Sequence, residues 1–238
     1  MINTVRNTVM AVLNKDNNGY VTPEEFNLFA KQEQLEVFEE YFYNYKNALN
    51  LQNKRLSNSG YADIPKQLAE VIDLFTYESV ALANAANVFT LPTNWYTLNT
   101  VLYNSNTEVE RVEQNKIKLL TASHLTAPTT TYPAYYMNGA TVSAPGNSIT
   151  VYPDTIGAGE IVVQYVRYPL APKWTYNTVG GSPVFNQSAT DYQDFELPES
   201  DHVELTLKIL QYAGINIREM AVVQAAAQEE AINNQQET

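Results

Sequence analysis

The stretch A-G-E-I-V-V-Q-Y-V-R-Y-P-L-A-P-K-W, Ala158–Trp174, contains a dense run of β-branched and aromatic residues. Such residues fit a pleated, half-buried surface, so Ile161–Tyr168 is predicted to be a strand. Gly157 and Gly159 supply a turn before it. Pro169 and Pro172 end it, because proline has no backbone donor for a ladder. Weaker strand signals precede this segment and helical ones follow it, which makes the chain α+β.

Toward the N-terminus the hydrophobic period stays near 2 as far as about Thr76. Ser148–Tyr152 alternates, with Ile149 and Val151 on one face. Tyr135–Met137, Asn138-Gly139 and Ala140–Val142 have the form of a hairpin, since Asn-Gly suits the two-residue turn that matches strand twist. Pro128, Thr129 to Thr131 and Pro133 form a stiff polar connector, and Glu113–Leu120 reads as a short helix inserted in the sheet. Glu108–Val112 is a short strand after an Asn-Ser-Asn turn. Val88–Leu91 and Tyr96–Tyr103 are strands separated by Pro92. Together these segments predict a small antiparallel β-sandwich or barrel of roughly five to seven short strands.

Outside this region the period is helical. Ile2–Leu13 places Ile2, Val5, Val9 and Val12 or Leu13 in register for a three-turn helix. Thr22-Pro23-Glu24-Glu25 starts another, with Thr22 as N-cap, Pro23 in the first turn and Glu25 closing a capping box. Leu28, Leu35, Phe38, Phe42, Tyr45 and Leu49 then predict one apolar stripe on a helix running to about Lys54, roughly 50 Å at about 1.5 Å per residue. A helix this long needs something to lie against. Six glutamates and Lys31 occupy the rest of its Glu24–Glu40 segment. Arg55–Asp63 contains Asn58-Ser59-Gly60 and reads as a boundary before a further helical segment, Ile64–Phe75.

On the C-terminal side, Trp174–Tyr192 is rich in Gly, Ser, Thr and Asn and is predicted to be a long loop of the kind that contacts partners. A helix follows from about Asp201 to Ala213, ended by Gly214. Asn216, with Glu219 at its third position, is expected to cap a last helix reaching about Ile232, whose alanines let a neighbour approach closely. The predicted organisation is therefore a helical region (1–75), a β-domain (76–174), an extended loop (175–196) and a C-terminal helical region (197–238).

The composition excludes several function classes. The chain has no cysteine and two histidines, so disulfides, thiol chemistry and Cys-containing metal sites are out, and little remains for zinc. A net charge of −12 opposes adhesion to nucleic acid phosphates or an anionic membrane. No run of 18 apolar residues and no secretory leader pattern occurs in the sequence, and a soluble protein without membrane contact is expected. Seventeen tyrosines and 25 asparagines favour a protein with partners, since tyrosine offers contact area with a polar handle.

Asn14–Glu25, N-K-D-N-N-G-Y-V-T-P-E-E, is the sharpest motif. Asn14, Asp16 and Asn18 fall at loop positions one, three and five of an EF-hand, Gly19 at six, the Tyr20 carbonyl at seven and Glu25 at twelve, so calcium is the candidate ion. Asn14 departs from the usual aspartate and the loop has no partner, so a turn between two helices outweighs it. Asp191, Asp194, Glu196, Glu199 and Asp201 cluster near His202, but no framework selects a catalytic pair, and a solvated or interface-rim cluster is favoured. His124 is read as structural. Gly157-Ala158-Gly159 lacks the rest of a phosphate-binding fingerprint. Arg167 is placed either in an ion pair, buried or interfacial, or on an outward sheet face.

G-Y-V-T-P-E-E-F-N at Gly19–Asn27, E-E-Y-F-Y-N-Y at Glu39–Tyr45, the Ile161–Trp174 run and F-E-L-P-E-S-D-H-V-E-L at Phe195–Leu205 carry a likeness that spans most of the chain. In these patterns the sequence resembles proteins encoded beside the portal gene in tailed bacteriophages, particularly podovirus-like phages of the crAss-like group. The resemblance implies a non-enzymatic virion structural protein, a head-tail connector or tail-adaptor ring. It implies a homo-oligomer, commonly of twelve, in the neck or tail of a virion made in the bacterial cytoplasm, touching the portal and adjacent ring or tail proteins. Such a ring encloses double-stranded DNA without reading its sequence, and an acidic lumen would let DNA slide. The interface residues expected are Leu28, Leu35, Phe38, Phe42, Tyr45, Leu49, Arg167, Trp174, Ala221 and Ala225. The alternatives are a head-decoration or tail-hub protein, a calcium-dependent binding module, and a polysaccharide-acting tail enzyme using the acidic cluster.

Overall fold

The computed structural model of the chain describes residues 1–13, 20–55, 64–79, 84–85, 87–139, 148–217 and 228. In chain order the elements are α1 (Ile2–Leu13), α2 (Pro23–Arg55), α3 (Ile64–Asp73), β1 (Thr76–Ser79), β2 (Asn84–Ala85), β3 (Val88–Thr90), β4 (Trp95–Tyr103), β5 (Thr107–Glu108), β6 (Glu110–Arg111), α4 (Gln114–Thr121), β7 (Ala134–Asn138), β8 (Ser148–Tyr152), β9 (Ile161–Arg167), β10 (Tyr176–Val179), β11 (Ser182–Phe185) and α5 (His202–Ile217). The fold is α+β. Two units are distinct: a helical unit of Met1–Val71 with Pro169–Thr238, and a β unit of Ile72–Tyr168. The N- and C-terminal helical segments thus belong together.

In the helical unit, α1 buries Ile2, Val5, Arg6, Val9 and Leu13, the side of a helix that recurs every three or four residues. The capping box starts α2 as its sequence predicts. Thr22 N–H donates to Glu25 Oε2 at 2.9 Å, and Glu25 N–H donates back to Thr22 Oγ1 at 3.2 Å. The buried face of α2 is Phe26, Ala30, Glu33, Gln34, Val37, Phe38 and Tyr41, which corrects the expected stripe. Of the residues in that stripe, Phe38 is buried, Leu28 is 67% exposed, and Leu35, Phe42, Tyr45 and Leu49 are only partly covered. The reason is that two polar residues, Glu33 and Gln34, occupy core-facing positions, so counting apolar residues rotates the face.

The helix α5 packs against both α1 and α2 and buries Leu205, Ile209, Leu210 and Ala213. Gly214 does not end it. The helix continues to Ile217, because the cost of about 1 kcal/mol for a glycine in a helix interior is small beside the packing of the surrounding turns. Asn216 therefore lies inside α5 and is not the cap of a further helix; the segment expected to follow lies outside the described residues.

The 175–196 segment, expected as a loop, contains the hairpin β10–β11, paired from Tyr176↔Phe185 to Val179↔Ser182. Gly180 and Gly181 have φ of 59° and 82°, the left-handed backbone that a two-residue hairpin turn requires. The hairpin is anchored at Trp174, which is 2% exposed. The Arg6 guanidinium sits 3.8 Å over its ring, its Nε1–H donates to Asn3 Oδ1 at 3.0 Å, and Tyr176 and Phe185 stack beside it. Asn27 bonds both the N–H and the carbonyl of Trp174.

The β unit is a two-sheet sandwich. One sheet has the order β1-β9-β4-β5, all antiparallel, with β9 in the interior as its composition requires. The other has the order β2-β3-β8-β7-β6 and is mixed, since β6 and β7 run parallel across the α4 crossover. Phe89, Tyr135, Ile149 and Val151 from this sheet meet Val101, Ile161, Val163 and Tyr165 from the other in one core. Alternation decides which residues enter it: on the opposite face of β7–β8, Asn138 bonds Ser148 and Thr150 at 3.0 Å each. The antiparallel partner of β7 is β8, in the register Ala134↔Tyr152 to Asn138↔Ser148. The Ala140–Val142 arm of the expected hairpin lies outside the described residues.

Candidate functional site

Where α5 meets α2, one buried lysine collects three carboxylates. Lys208 Nζ lies 2.9 Å from Glu40, 3.5 Å from Glu36 and 3.5 Å from Glu204, with its own side chain 6% exposed. Glu36 and Glu40 are four residues apart on α2, as are Glu204 and Lys208 on α5, so each pair shares a helix face. Burial alone would lower the lysine's pKa; the hydrogen bond and charge of Glu40, with Glu204 and Glu36, raise it instead. Burial and the nearby Glu40 carboxylate push the Glu204 carboxyl up from 4.5 to about 7. Beside them, Tyr41 O–H donates to Asp201, and burial first and that bond second raise the phenol's pKa. Only the i,i+4 spacings hinted at this cluster in the sequence.

The acidic residues near His202 are used one by one to fasten the chain. Asp191 pairs with Lys173 at 2.5 Å on the surface, and that bond holds its carboxyl below the usual range. Asp194 accepts from the Met1 ammonium at 2.9 Å, from Ile2 N–H at 2.7 Å and from Phe195 N–H at 2.9 Å. Burial would raise this carboxyl, but the three donors hold it low. Glu196 accepts from Leu170 N–H at 2.7 Å. The buried amide of Gln34 completes that junction, donating to the Leu170 carbonyl at 2.7 Å and accepting from Glu196 N–H at 3.1 Å. Asp201 takes Tyr41 and Ser200. Glu199 lies in the short 3-10 turn that leads into α5.

Of the candidate calcium ligands, Asn14, Asp16 and Asn18 lie outside the described residues. Tyr20 is exposed, and Glu25 Oε2 accepts from both the N–H and the hydroxyl of Thr22. Among the described residues no group of three or more His, Asp or Glu side chains is placed to hold a metal ion.

Of the expected interface residues, Trp174 is corrected to an interior position, and Phe38 is buried as well. Arg167 is partly buried on β9, where its Nη1 donates to the Tyr168 carbonyl at 3.3 Å. Ala221 and Ala225 lie outside the described residues. Large exposed apolar side chains occur on several elements of each unit. In the β unit, the crossover after β6 presents Leu119, Leu125 and Tyr132 at 74%, 97% and 80% exposure. In the helical unit, the hairpin presents Val179 and Val184, and α2 presents Leu28, Tyr43 and Leu51. The short helix expected at Glu113–Leu120 is present as α4, whereas the exposure of these crossover side chains has no periodic signal in the sequence.

No helix among the described residues is long and apolar enough to cross a membrane. No protein-family model matches the chain, and no curated protein matches it either.

Proposed function

We propose that the chain is a non-enzymatic structural subunit of a tailed-phage virion, an oligomeric ring protein that joins the capsid portal to the tail and surrounds the DNA channel. The observation that carries this reading is that both units expose large apolar side chains, among them Leu119, Leu125 and Tyr132 on the crossover, Val179 and Val184 on the hairpin, and Leu28, Tyr43 and Leu51 on α2. Isolated exposed apolar residues are ordinary, but side chains as open as Leu119, Leu125 and Tyr132 suit surfaces that become covered in an assembly. A ring subunit needs at least two different faces, and these elements offer them. The net charge of −12 per subunit suits a channel through which DNA slides. The sequence resemblance to portal-adjacent ring proteins points the same way.

The test is the mass of the purified chain, alone and after mixing with the cognate portal, followed by particle imaging. A closed ring on the portal supports the reading and gives its symmetry. A chain indifferent to the portal overturns it and favours a decoration or tail-hub protein. A lumen lined by Lys and Arg would refute the sliding-channel argument.

A further inference from the structure

The helix α2 is charged in opposite senses along its length. From 23 to 41 it carries six glutamates and Lys31; from 42 to 55 it carries Lys46, Lys54 and Arg55 and no carboxylate. The helix dipole favours acids in a first turn and bases in a last turn, which accounts for Glu24, Glu25, Lys54 and Arg55. It does not account for Glu36, Glu39, Glu40 or Lys46, which lie beyond those turns.

Burial divides the helix at the same place. Up to Tyr41 it has a buried face, whereas no residue from 42 to 53 is buried. Phe42, Tyr45 and Leu49, spaced to share one side of the helix, remain partly open, and Tyr43 and Leu51 are exposed. The distal segment extends about 18 Å at about 1.5 Å per residue. It is at once apolar and basic in a chain of net charge −12.

We propose that this distal half of α2 docks on the acidic α2–α5 face of a second copy of the chain, Lys46 approaching the Glu36 and Glu39 carboxylates. The proposal rests on the assembly reading above and specifies its contact. On the receiving face, among the described residues, Glu36, Glu40 and Glu204 share Lys208, and Glu39 adds an exposed carboxylate. That face has an excess of negative charge, and the distal half of α2 has an excess of positive charge and apolar area. Docking covers both. Antiparallel pairing of two α2 helices satisfies the contact twice in a dimer; head-to-tail docking satisfies it once per subunit and closes a ring.

Sedimentation velocity on the full chain, at about 1 to 100 μM and at low and high salt, tests this. Association that weakens with salt is expected. Lys46→Glu and Glu39→Lys, both at exposed positions, should each weaken it about tenfold or more, and the double variant should regain it. Unchanged far-UV circular dichroism verifies that the variants fold. A dimer with this mutational pattern supports the docking while counting against a ring built from it; a larger closed species supports both. Single variants that assemble like wild type, a double variant that stays dispersed, or a wild-type chain monomeric throughout overturns the docking. In each of these cases the ring reading is decided separately by the portal experiment. Unchanged association combined with loss of duplex DNA binding in Lys46→Glu would assign the segment to nucleic acid and also overturn it.

Discussion

Replacing Glu204 by Gln is expected to stabilise the helical unit at neutral to alkaline pH and to leave it unchanged in acid. One ammonium, Lys208, faces three carboxylates, and its shortest contact, 2.9 Å, is to Glu40 rather than Glu204. Glu204 is 29% exposed, and burial followed by the Glu40 charge lifts its carboxyl from 4.5 to about 7. At about 1.4 kcal/mol per pH unit, that rise corresponds to about 3 kcal/mol, which partial solvent access reduces to about 1–2 kcal/mol. The folded chain binds this proton more tightly than the unfolded chain. Stability is therefore highest below about pH 4.5, falls as pH rises through about 7, and levels off above it. Glutamine carries no such proton and removes that slope.

Urea unfolding followed by far-UV circular dichroism at about pH 4.5, 6 and 8 measures the difference between Glu204→Gln and wild type. The expected difference is near zero at the lowest pH and about 1–2 kcal/mol in favour of the variant at the highest. A pH-independent difference, or a wild type more stable at pH 8, refutes the reasoning. It would mean that Glu204 gains more from Lys208 than it loses to burial and Glu40. The complementary change, Lys208→Met, leaves three carboxylates facing one another and is expected to cost about 3 kcal/mol, increasingly so as pH rises.

Trp174→Ala removes the ring that Arg6, Tyr176 and Phe185 pack against and should cost about 3–5 kcal/mol in urea unfolding; a loss below about 1 kcal/mol would contradict its place in the core. Thr22→Ala should cost about 1 kcal/mol by opening the capping box. Millimolar calcium should leave the wild-type unfolding midpoint in place, because a bidentate ligand at loop position twelve would have to release Glu25 Oε2 from Thr22; a midpoint that rises with calcium refutes this. Asn104 and Ser105 turn the chain between β4 and β5 with φ of 51° and 58°, a region serine rarely adopts. Ser105→Gly should therefore stabilise the β unit by about 0.5–1 kcal/mol in thermal unfolding, and a loss of stability would show that the serine side chain has an anchoring role.

What the sequence made legible was local. The bounds of α1, the capping box of α2, the central strand β9 and the Asn-Ser-Asn turn each follow from residues within a few positions of one another. The face of α2 did not, because Gln34 earns its interior position through Leu170 and Glu196, 136 and 162 positions away. The hairpin β10–β11 carried a usable signal in Gly180-Gly181, but the surrounding Ser, Thr and Asn read as a loop. The end of α5 at Ile217 lies beyond Gly214, a local breaker, because α1 and α2 pack against the helix. The site followed the same division. The Glu204–Lys208 spacing is visible in sequence, whereas its meeting with Glu36 and Glu40 depends on how two distant helices cross.

The acidic cluster near His202 shows how a chemical-looking pattern can arise from architecture. Asp194, Glu196 and Asp201 lie within eight positions, yet they bond Met1 and Ile2, Leu170, and Tyr41 respectively. The segment entering α5 runs past α1, past the chain leaving β9 and along α2, and at each crossing it meets backbone N–H groups or a hydroxyl. A carboxylate suits such a donor, since a charged acceptor forms the stronger bond and a missing partner costs most when buried. A run of acids is therefore what the geometry demands of a strap that crosses several donors in succession. The same strap closes the helical unit across the insertion of the β unit in the chain, and its contacts with Met1, Ile2 and Tyr41 join residues 160 or more positions apart. Folding of the helical unit must wait for those long-range contacts, and the carboxylates are the side chains that make them specific.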